Sequence, residues 1–429
     1  MLWRAVYCLA TWLVLPLVFG YFAWRGRREP AYRQNFGERL GLVDDVPKDA
    51  IWVHAASVGE VVLIAPLAEA LERRFPQSTL LITTMTPTGR ERAIKRFGDR
   101  VCIRYVPLDT LGATRRFMAA AAPRIGILVE TELWPNLIAA ADRAHVPLVL
   151  VNASVSQRSA EHYARWPLAN ATRFMLARID AIGAASEAHA ERFATLGAPV
   201  ERVVATGNLK YDTPDHADTE TAGKALRRQW QADTRGIVVA ASTHEGEEEI
   251  LLKAFERLRS RDCGGLLVIA PRHPQRFDAV AALLEASPWS VARRSVGDAV
   301  GEATDIVLAD TLGEVPMFYS AADVAVVGGS FVPGIGGHNV LEPAALGRPF
   351  CVGPYIEEWQ DIVDGLVGCG AARICKTPAQ LADTAGHWGL DRDRALAAGA
   401  AGRAHVREQE GALDRSIALI ETALGRHPG

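Results

Sequence analysis

Residues 51–75, IWVHAASVGEVVLIAPLAEALERRF, join an apolar run to a tight turn of small residues and then to an amphipathic stretch. In that stretch the apolar positions recur at three- and four-residue steps, as in a helix with one buried face. The segment therefore predicts a strand, a turn and a helix. Such turns often bind phosphate, because free N–H groups at a helix N-terminus attract anions. This turn instead carries an anion of its own, Glu60.

The same alternation continues on both sides of a polar segment that begins at Asn208. Short apolar strands between helices predict parallel sheets covered on both faces. The polar segment contains Pro214 and lacks apolar periodicity, so it is interpreted as a linker. The predicted fold class is α/β, with two doubly wound, Rossmann-like domains facing a cleft and an N-terminal membrane-anchor helix. The predicted strands are AIWVHA, TLLITT, VCIRYVP, RIGILVE, PLVLVNA, DAIGAAS and RVVATG before the linker, and GIVVAAS, GLLVIAP, SVARRS, DIVLAD, VAVVGG and PFCVGP after it.

The predicted boundaries are an anchor at residues 1–28, a first α/β domain at 29–210, a linker at 211–218, and a second α/β domain with C-terminal helices at 219–429. Composition agrees with a folded protein, since 49% of residues are hydrophobic and 23% are charged. The net charge of −3 gives no basic excess for nucleic acid. None of the six cysteines forms a Cys-x-x-Cys pair, so all are predicted to be reduced: Cys8, Cys102, Cys263, Cys351, Cys369 and Cys375.

Residues 5–24, AVYCLATWLVLPLVFGYFAW, carry no charged side chain. About twenty such residues can cross a bilayer core as a helix. A cleaved signal peptide is an alternative, but the flanking charges and the missing cleavage site argue against it. A segment that enters one leaflet is another, because Pro16 and Gly20 interrupt the helix. The positive-inside rule places the remaining chain in the cytoplasm, since one arginine, Arg4, precedes the segment and four follow it: Arg25, Arg27, Arg28 and Arg33.

The second half contains the glycine-rich stretch VVGGSFVPGIGGHNVLEPAALGRPFCVGP at residues 326–354. A strand is predicted to end at Gly328 and Gly329, and Asn339 is a suitable N-cap for the helix that follows. Glycines allow close approach to a phosphate, and Glu342 in the first helical turn can accept two ribose hydroxyls. A tight turn with an acidic first helical turn remains the alternative.

Eight motifs in the same order resemble the 3-deoxy-D-manno-octulosonic acid (Kdo) transferases of lipopolysaccharide synthesis, which are GT-B glycosyltransferases. The resemblance covers most of the chain and implies transfer of Kdo from the substrate CMP-Kdo to a lipid A precursor, lipid IVA. It also implies an inverting reaction without metal or cofactor, at the cytoplasmic face of the inner membrane. The motifs are FGERLG, WVHAASVGE, VETELWPN, NASVSQRS, GNLKYD, ASTHEGEE, APRHPQRF and GGHNVLEPAALGRP.

The resemblance implies specific roles for matching residues. Glu60 corresponds to the catalytic base, Glu130 to transition-state support and Lys210 to a site lysine. The alternative for Glu60 is a carboxylate that merely caps its helix, and the alternative for Lys210 is a surface lysine. Glu132 could orient Glu60 or a basic partner, and its alternative is a position in a solvated loop. The implied CMP contacts are Pro271, Arg272, Leu312, Gly313, Glu314, Asn339, Val340, Leu341 and Glu342. Further candidate contacts are Ser57, Gly59, Ser154, Ser156, Arg158, Ser242, Thr243, His244, His273, Gly336 and Gly337.

Two other functions fit parts of the pattern. A sugar-nucleotide epimerase would share the fold, but the predicted anchor argues against a soluble enzyme. A membrane-tethered assembly factor without activity would share both fold and anchor, and the presence of Glu60, Glu130, Lys210 and Arg272 in their motifs argues against it. Zinc chemistry is disfavoured because the histidines and cysteines lack metal-ligand spacing.

Overall fold

The computed structural model describes residues 2–212, 217–232, 235–261 and 265–426. The chain divides into two compact units, Met1–Asp212 with Glu410–Gly429, and Thr213–Gln409. The predicted boundary is wrong at the C-terminus, because the end of the chain belongs to the first unit rather than to the second. The predicted linker, 211–218, lies partly outside the described residues, and its two described ends belong to a buried turn and to a helix.

The first unit is built on a seven-stranded parallel sheet with the order β3-β2-β1-β4-β5-β6-β7. Successive strand residues face opposite sides of the sheet, so Ile51 and Val53 enter one core and Trp52 enters the other. The strands are β1 Ile51–His54, β2 Leu80–Thr84, β3 Cys102–Tyr105, β4 Ile125–Val129, β5 Leu148–Ala153, β6 Ala181–Ala184 and β7 Val203–Ala205. The helices are α1 Leu2–Arg25, α2 Phe36–Arg39, α3 Val58–Leu63, α4 Ala65–Arg74, α5 Pro87–Phe97, α6 Leu111–Ala121, α7 Pro135–Arg143, α8 Gln157–Tyr163, α9 Leu168–Leu176 and α10 Glu187–Thr195.

The second unit has its own seven-stranded parallel sheet, with the order β10-β11-β9-β8-β12-β13-β14. Its strands are β8 Gly236–Thr243, β9 Gly265–Pro271, β10 Val291–Arg293, β11 Ile306–Leu308, β12 Val324–Val327, β13 Phe350–Val352 and β14 Ala372–Ile374. Its helices are α11 Ala217–Gln229, α12 Glu247–Arg259, α13 Phe277–Glu285, α14 Val315–Ala321, α15 Leu341–Ala345, α16 Gln360–Gly368, α17 Pro378–Leu390 and α18 Arg392–Gln409. Both sheets confirm the predicted α/β class.

The last helix, α19 Ala412–Arg426, returns to the first unit and packs against α4, β5 and β6. Its apolar side chains Ile420 and Ala423 are fully or almost fully buried in the core beneath the first sheet. Asp212 holds the start of this helix, because its carboxylate accepts hydrogen bonds from the backbone N–H groups of Gly411 and Leu413, each at 2.6 Å. The sequence predicted C-terminal helices here but assigned them to the second domain.

The single helix predicted after the first strand is two helices, α3 and α4. Pro66 lies near the start of α4 and has no N–H to donate to the carbonyl of Val62, so the first helix ends before it. Strand β14 was not predicted, because it has only three residues and two of them, Arg373 and Ile374, are exposed. The five described cysteines are free, as predicted, and Cys263 lies outside the described residues.

One helix, spanning Trp3–Arg25, is long and apolar enough to cross a membrane by length and composition, with a mean hydropathy of 1.8 in its most apolar window. Only 6% of that window is buried. A signal sequence near an N-terminus would pass the same test. The segment is therefore a candidate anchor.

Candidate active site

Glu60 lies in the first turn of α3, directly beyond the end of β1. Ser57 is the N-cap of this helix and accepts a hydrogen bond from the Glu60 N–H at 3.3 Å. The Glu60 carboxylate accepts from the Ser57 hydroxyl and from the Ala56 N–H, both at 2.8 Å. These bonds form a capping arrangement, so Glu60 does stabilise its helix. Gly59, between them, is exposed.

The environment of Glu60 also changes its acidity. Its exposed fraction is only 8%, and this burial raises the pKa of the carboxyl. The bonds from Ala56 and Ser57 act in the opposite direction, and the negative charge of Glu132 raises the pKa further. The net result is a pKa above the ordinary value for glutamate. A carboxylate of raised pKa is a stronger base at neutral pH than an exposed one.

Glu132 contacts a histidine that the sequence analysis did not single out. The Nε2 atom of His54, the last residue of β1, lies 3.5 Å from Glu132 Oε2. His54 is fully buried, and its Nδ1 lies 3.1 Å from the carbonyl oxygen of Thr83 and 3.0 Å from the hydroxyl oxygen of the same residue. The indole N–H of Trp134 donates to the same Glu132 oxygen at 2.6 Å. Glu132 therefore has a basic partner, one of the two predicted possibilities.

The pKa values of the two carboxyls in this cluster, Glu60 and Glu132, are shifted in opposite directions. Burial alone would raise the pKa of Glu132, but the bonds and charge of His54 together with Trp134 outweigh it and lower that pKa. The pKa of Glu60 is raised instead. Neighbouring carboxyls with separated pKa values are typical of catalytic acid–base sites. His54 could have been found from the motif WVHAASVGE, because it is a polar residue at the end of an otherwise apolar strand.

Glu130 directly follows β4 and adopts a left-handed backbone conformation, with φ of 56°. This conformation costs a non-glycine residue about 1–2 kcal/mol and is concentrated at functional sites. Its N–H donates to the Val151 carbonyl oxygen at 3.0 Å, which fixes the turn. Lys210 lies in a short 3₁₀ turn, Leu209–Tyr211, two residues before Asp212, where the first segment of the first unit ends. Its own N–H donates to the Asn208 side chain at 3.0 Å.

The NASVSQRS motif forms the β5–α8 connection. Ser156 is the N-cap of α8, where it accepts from the Ser159 N–H, and it is exposed, as is Arg158. Ser154 is half-buried, and its carbonyl oxygen accepts a hydrogen bond from the Thr131 hydroxyl. This bond links the connection to the turn that carries Glu130 and Glu132. The exposed Ser156 and Arg158 remain predicted acceptor contacts.

In the second unit, the glycine-rich loop after β12 is held by a buried carboxylate, Glu247. Its side chain accepts hydrogen bonds from the backbone N–H groups of Gly329, Ser330 and Phe331 at 2.7, 3.0 and 2.8 Å. The His244 N–H adds a fourth bond at 2.8 Å. Burial raises the pKa of Glu247 above the ordinary value for glutamate, and the four N–H bonds, which favour the ionised form, offset that effect only in part. This portion of the loop binds an anion from its own chain. The motif ASTHEGEE contained Glu247, but nothing in the sequence marked it as a loop anchor.

A second buried carboxylate, Glu248, lies beside Glu247 and is fully buried. It forms a bidentate ion pair with Arg276 at 3.0 and 2.9 Å and accepts from the Thr243 hydroxyl at 2.7 Å. Thr243 is therefore a structural partner, buried at the end of β8, rather than an exposed anion contact. Ser242 precedes it with a left-handed φ of 59°.

Three histidines meet at the ends of β8, β9 and β12. The Nε2 atoms of His244 and His338 are 2.8 Å apart, and the His244 and His273 rings lie edge to face with centroids 5.0 Å apart. Burial lowers the pKa of His338 to about 4, and it also lowers the pKa of His244. The positive charge of Arg272 contributes to both shifts. The pair is therefore neutral at pH 7, with one ring donating its hydrogen to the other.

Arg272 follows Pro271 at the end of β9, and its own side chain is exposed. Its positive charge also acts on Glu342, whose pKa is raised by burial and lowered in part by Asn339 and Arg272. The N-cap of α15 is Val340 and not Asn339 as predicted. Asn339 nevertheless accepts from the Leu341 N–H at 3.0 Å and donates to Glu342 at 3.1 Å.

Gly329 shows why the loop needs glycine. Its φ is 68°, and a Cβ there would lie 2.7 Å from the His338 ring. Gly336 and Gly337 are buried in the same loop, both with left-handed φ values near 90°. The structure therefore brings the loop, the histidines, Arg272 and Glu342 together in one region of the second unit. Arg272, Asn339 and Glu342 belong to the residues that the sequence assigned to the nucleotide, whereas His338 was not among the predicted residues.

The TLGEVP motif lies beyond β11, the neighbour of β9 in the sheet. Leu312 and Gly313 are both exposed residues. Glu314 forms a bidentate ion pair with Arg294, with both distances 2.7 Å, and the pair lowers the pKa of this carboxyl. The Glu314 carboxylate is thus engaged within the protein. Among the described residues, no group of three or more histidine, cysteine or acidic side chains is placed to hold a metal ion.

Two parallel α/β units of this kind, each with polar residues at its strand ends, are the architecture of the GT-B fold. MurG of Acinetobacter baumannii superposes with a TM-score of 0.57 at 15% identity, over 88% of this chain and 100% of that chain. The family described as 3-Deoxy-D-manno-octulosonic-acid transferase (kdotransferase) matches residues 34–213.

Two full-length relatives identify the family more closely. The 3-deoxy-D-manno-octulosonic acid transferase of Haemophilus influenzae is 36% identical, over 99% of this chain and 100% of its own length. The transferase of the same name from Bordetella pertussis is 38% identical, over 98% of this chain and 100% of its own length. The chain belongs to the 3-deoxy-D-manno-octulosonic acid transferases and is a glycosyltransferase.

Proposed function

We propose that this protein transfers Kdo from CMP-Kdo to a hydroxyl of the lipid A disaccharide precursor, lipid IVA, with inversion and without a metal ion. The observation that carries the proposal is the Glu60 carboxylate, buried at the end of β1 with a raised pKa and a second carboxyl, Glu132, of lowered pKa nearby. An inverting transfer needs a base that accepts the acceptor's proton during attack.

In the proposed reaction the acceptor oxygen forms a bond to the anomeric carbon of Kdo as its proton passes to Glu60. The bond between that carbon and the phosphate oxygen breaks, and CMP leaves with the electron pair. Glu132, held by His54 and Trp134, stays ionised and keeps Glu60 basic. Glu130 and Lys210 are proposed to support the transition state, in agreement with their motifs.

The leaving phosphate gains negative charge, and without a metal ion the protein must stabilise it through cations and backbone N–H groups. Arg272 is the exposed cation among the proposed donor contacts of the second unit. The exposed residues Leu312 and Gly313, and the turn from Asn339 to Glu342, are proposed to hold the rest of CMP. Helix α1 is proposed to attach the enzyme to the inner membrane, with both domains in the cytoplasm.

The test is CMP release by the full-length, detergent-solubilised protein from CMP-Kdo, with and without tetraacylated lipid A precursor. We expect release only with the lipid, together with a Kdo-sized mass gain on it, and the number of gains counts the Kdo units added. Glu60→Gln should lose release, whereas Glu249→Gln, an exposed glutamate on α12, should keep it. Lipid-independent release, or none from folded protein, would refute the proposal.

A further inference from the structure

The N-terminal end of α1 is bonded to the body of the first unit. The Tyr7 hydroxyl donates to the Asp109 carboxylate at 2.8 Å, and the Cys8 thiol donates to the Asn136 side chain at 3.3 Å. The Trp3 ring packs edge to face on Phe174 of α9, with centroids 5.3 Å apart. One end of the candidate anchor is therefore docked on the domain by polar and aromatic contacts.

The C-terminal end of α1 is docked on the same unit. Phe19 contacts Phe36 with ring centroids 4.9 Å apart. Arg39 is only 1% exposed. Its guanidinium carbon lies 4.6 Å from the ring centroid of Phe22 and 3.9 Å from that of Tyr105. Such cation–π contacts gain strength when they are desolvated. The helix is thus held near both ends.

Between these ends, one stripe of α1 is shielded and the opposite face is open. The half-buried positions Tyr7, Thr11, Leu15, Val18 and Phe22 recur at three- and four-residue steps along the helix. The open face is apolar, and its side chains are 46–72% exposed. They are Val6, Leu9, Trp12, Leu13, Val14, Leu17, Tyr21 and Trp24.

These contacts are incompatible with a helix that crosses the bilayer. Tyr7 and Phe22 are fifteen residues apart, or about 22 Å along a helix, and a hydrocarbon core is about 30 Å thick. If α1 crossed that core with both contacts intact, the domain surface around Asp109 and Asn136 would be carried into the hydrocarbon. Burying such polar groups there is costly. Either the contacts or the crossing must be given up.

We propose that α1 lies in the plane of the membrane, with its open apolar face sunk into one leaflet and its shielded stripe on the first unit. Helices that lie in an interface bury an apolar face to about 5–10 Å and gain from basic residues near anionic lipid. Arg27 and Arg28, just beyond α1, are exposed and supply that charge. The lipid partner is therefore an anionic bilayer surface. This inference refines the proposed membrane attachment and is independent of the catalytic assignment.

The orientation is tested with the full chain carrying an N-terminal epitope and protease site, expressed in cells that are then converted to spheroplasts. An in-plane α1 keeps both of its ends in the cytoplasm, so external protease should remove the epitope only after the membrane is permeabilised. A crossing helix exposes its N-terminus outside, so cleavage in intact spheroplasts would overturn the inference. Absence of the protein from the membrane fraction would instead refute the attachment.

The open face is tested by sedimentation of the purified full-length protein with phosphatidylglycerol-containing vesicles. Combining Leu9→Ser, Leu13→Ser and Leu17→Ser should lower the vesicle partition coefficient about a thousandfold, since each leucine contributes roughly tenfold. Leu396→Ser is the matched control, because Leu396 is 53% exposed on α18 of the second unit. That control should bind like the wild type. Equal binding by the triple variant would overturn the proposed surface.

Discussion

Replacing Glu247 gives the sharpest test of how the glycine-rich loop is held. Glu247→Ala removes the acceptor for four backbone N–H groups, those of His244, Gly329, Ser330 and Phe331. Each buried donor left without a partner costs about 1–3 kcal/mol. After partial relaxation we expect the free energy of unfolding to fall by at least about 4 kcal/mol, a large share of the 5–15 kcal/mol typical of a folded protein.

Glu247→Gln removes the negative charge of the side chain but keeps its size and shape, so it tests the two contributions separately. The glutamine carbonyl oxygen can still accept from two N–H groups, but its amide donors face the other two. We therefore expect about half the loss seen with alanine. Because the loop is proposed to hold CMP, the affinity of the glutamine variant for CMP should be about tenfold lower than that of the wild type, which corresponds to about 1.4 kcal/mol.

Urea unfolding gives the stability change, and calorimetric titration with CMP gives the affinity. Glu249→Gln is the control on the same helix, because Glu249 is exposed, and its effect should stay within about 0.5 kcal/mol. If Glu247→Ala were as stable as the control and bound CMP normally, the loop would be held by something other than this carboxylate.

Three further predictions concern single side chains. Glu60→Gln should lower kcat by about 10²–10⁴ with little loss of stability in urea, because its amide oxygen can still accept from Ala56; normal turnover would leave only the capping role. The pKa of His338 is about 4 in the folded protein and 6.5 in the unfolded chain, so the unfolded chain binds the proton first as the pH drops. The free energy of unfolding should therefore fall between pH 6.5 and pH 4, by at most about 3 kcal/mol. His338→Asn should reduce this pH dependence, measured by urea unfolding at pH 7 and pH 5. Tyr7→Phe removes the bond to Asp109 and should lower the unfolding free energy by about 1 kcal/mol; equal urea midpoints would contradict the docking of α1.

Strands were predictable wherever they are central and apolar. The run at residues 125–129 is wholly buried and could be read as a strand directly. Strand β14 could not, because an edge strand of three residues with exposed side chains has no apolar run to identify it. The break before α4 could be inferred from Pro66, yet an amphipathic pattern on both sides concealed it.

Glu60 could be chosen as a candidate site residue from the sequence, because a charged residue in a tight turn after a strand is conspicuous. His54 was missed because it belongs to the strand itself, and its contact with Glu132 joins two strand ends that are 78 residues apart in the chain. Glu247 was missed for the same reason, since it bonds to a loop more than eighty residues away. Pairings at such separations depend on the order of strands in a sheet, which one sequence does not specify.

The return of α19 to the first sheet means that the second unit is an insertion within the first. The ribosome therefore makes Ile420 and Ala423 more than 230 residues after the strands that they cover, β5 Leu148–Ala153 and β6 Ala181–Ala184. Until α19 has been made, the apolar face formed by β5, β6 and α4 lacks its last layer, although the inserted unit can already complete its own sheet. A chain that stops before Glu410 should keep that face open and need a chaperone, whereas a permuted chain beginning with α19 should close it first.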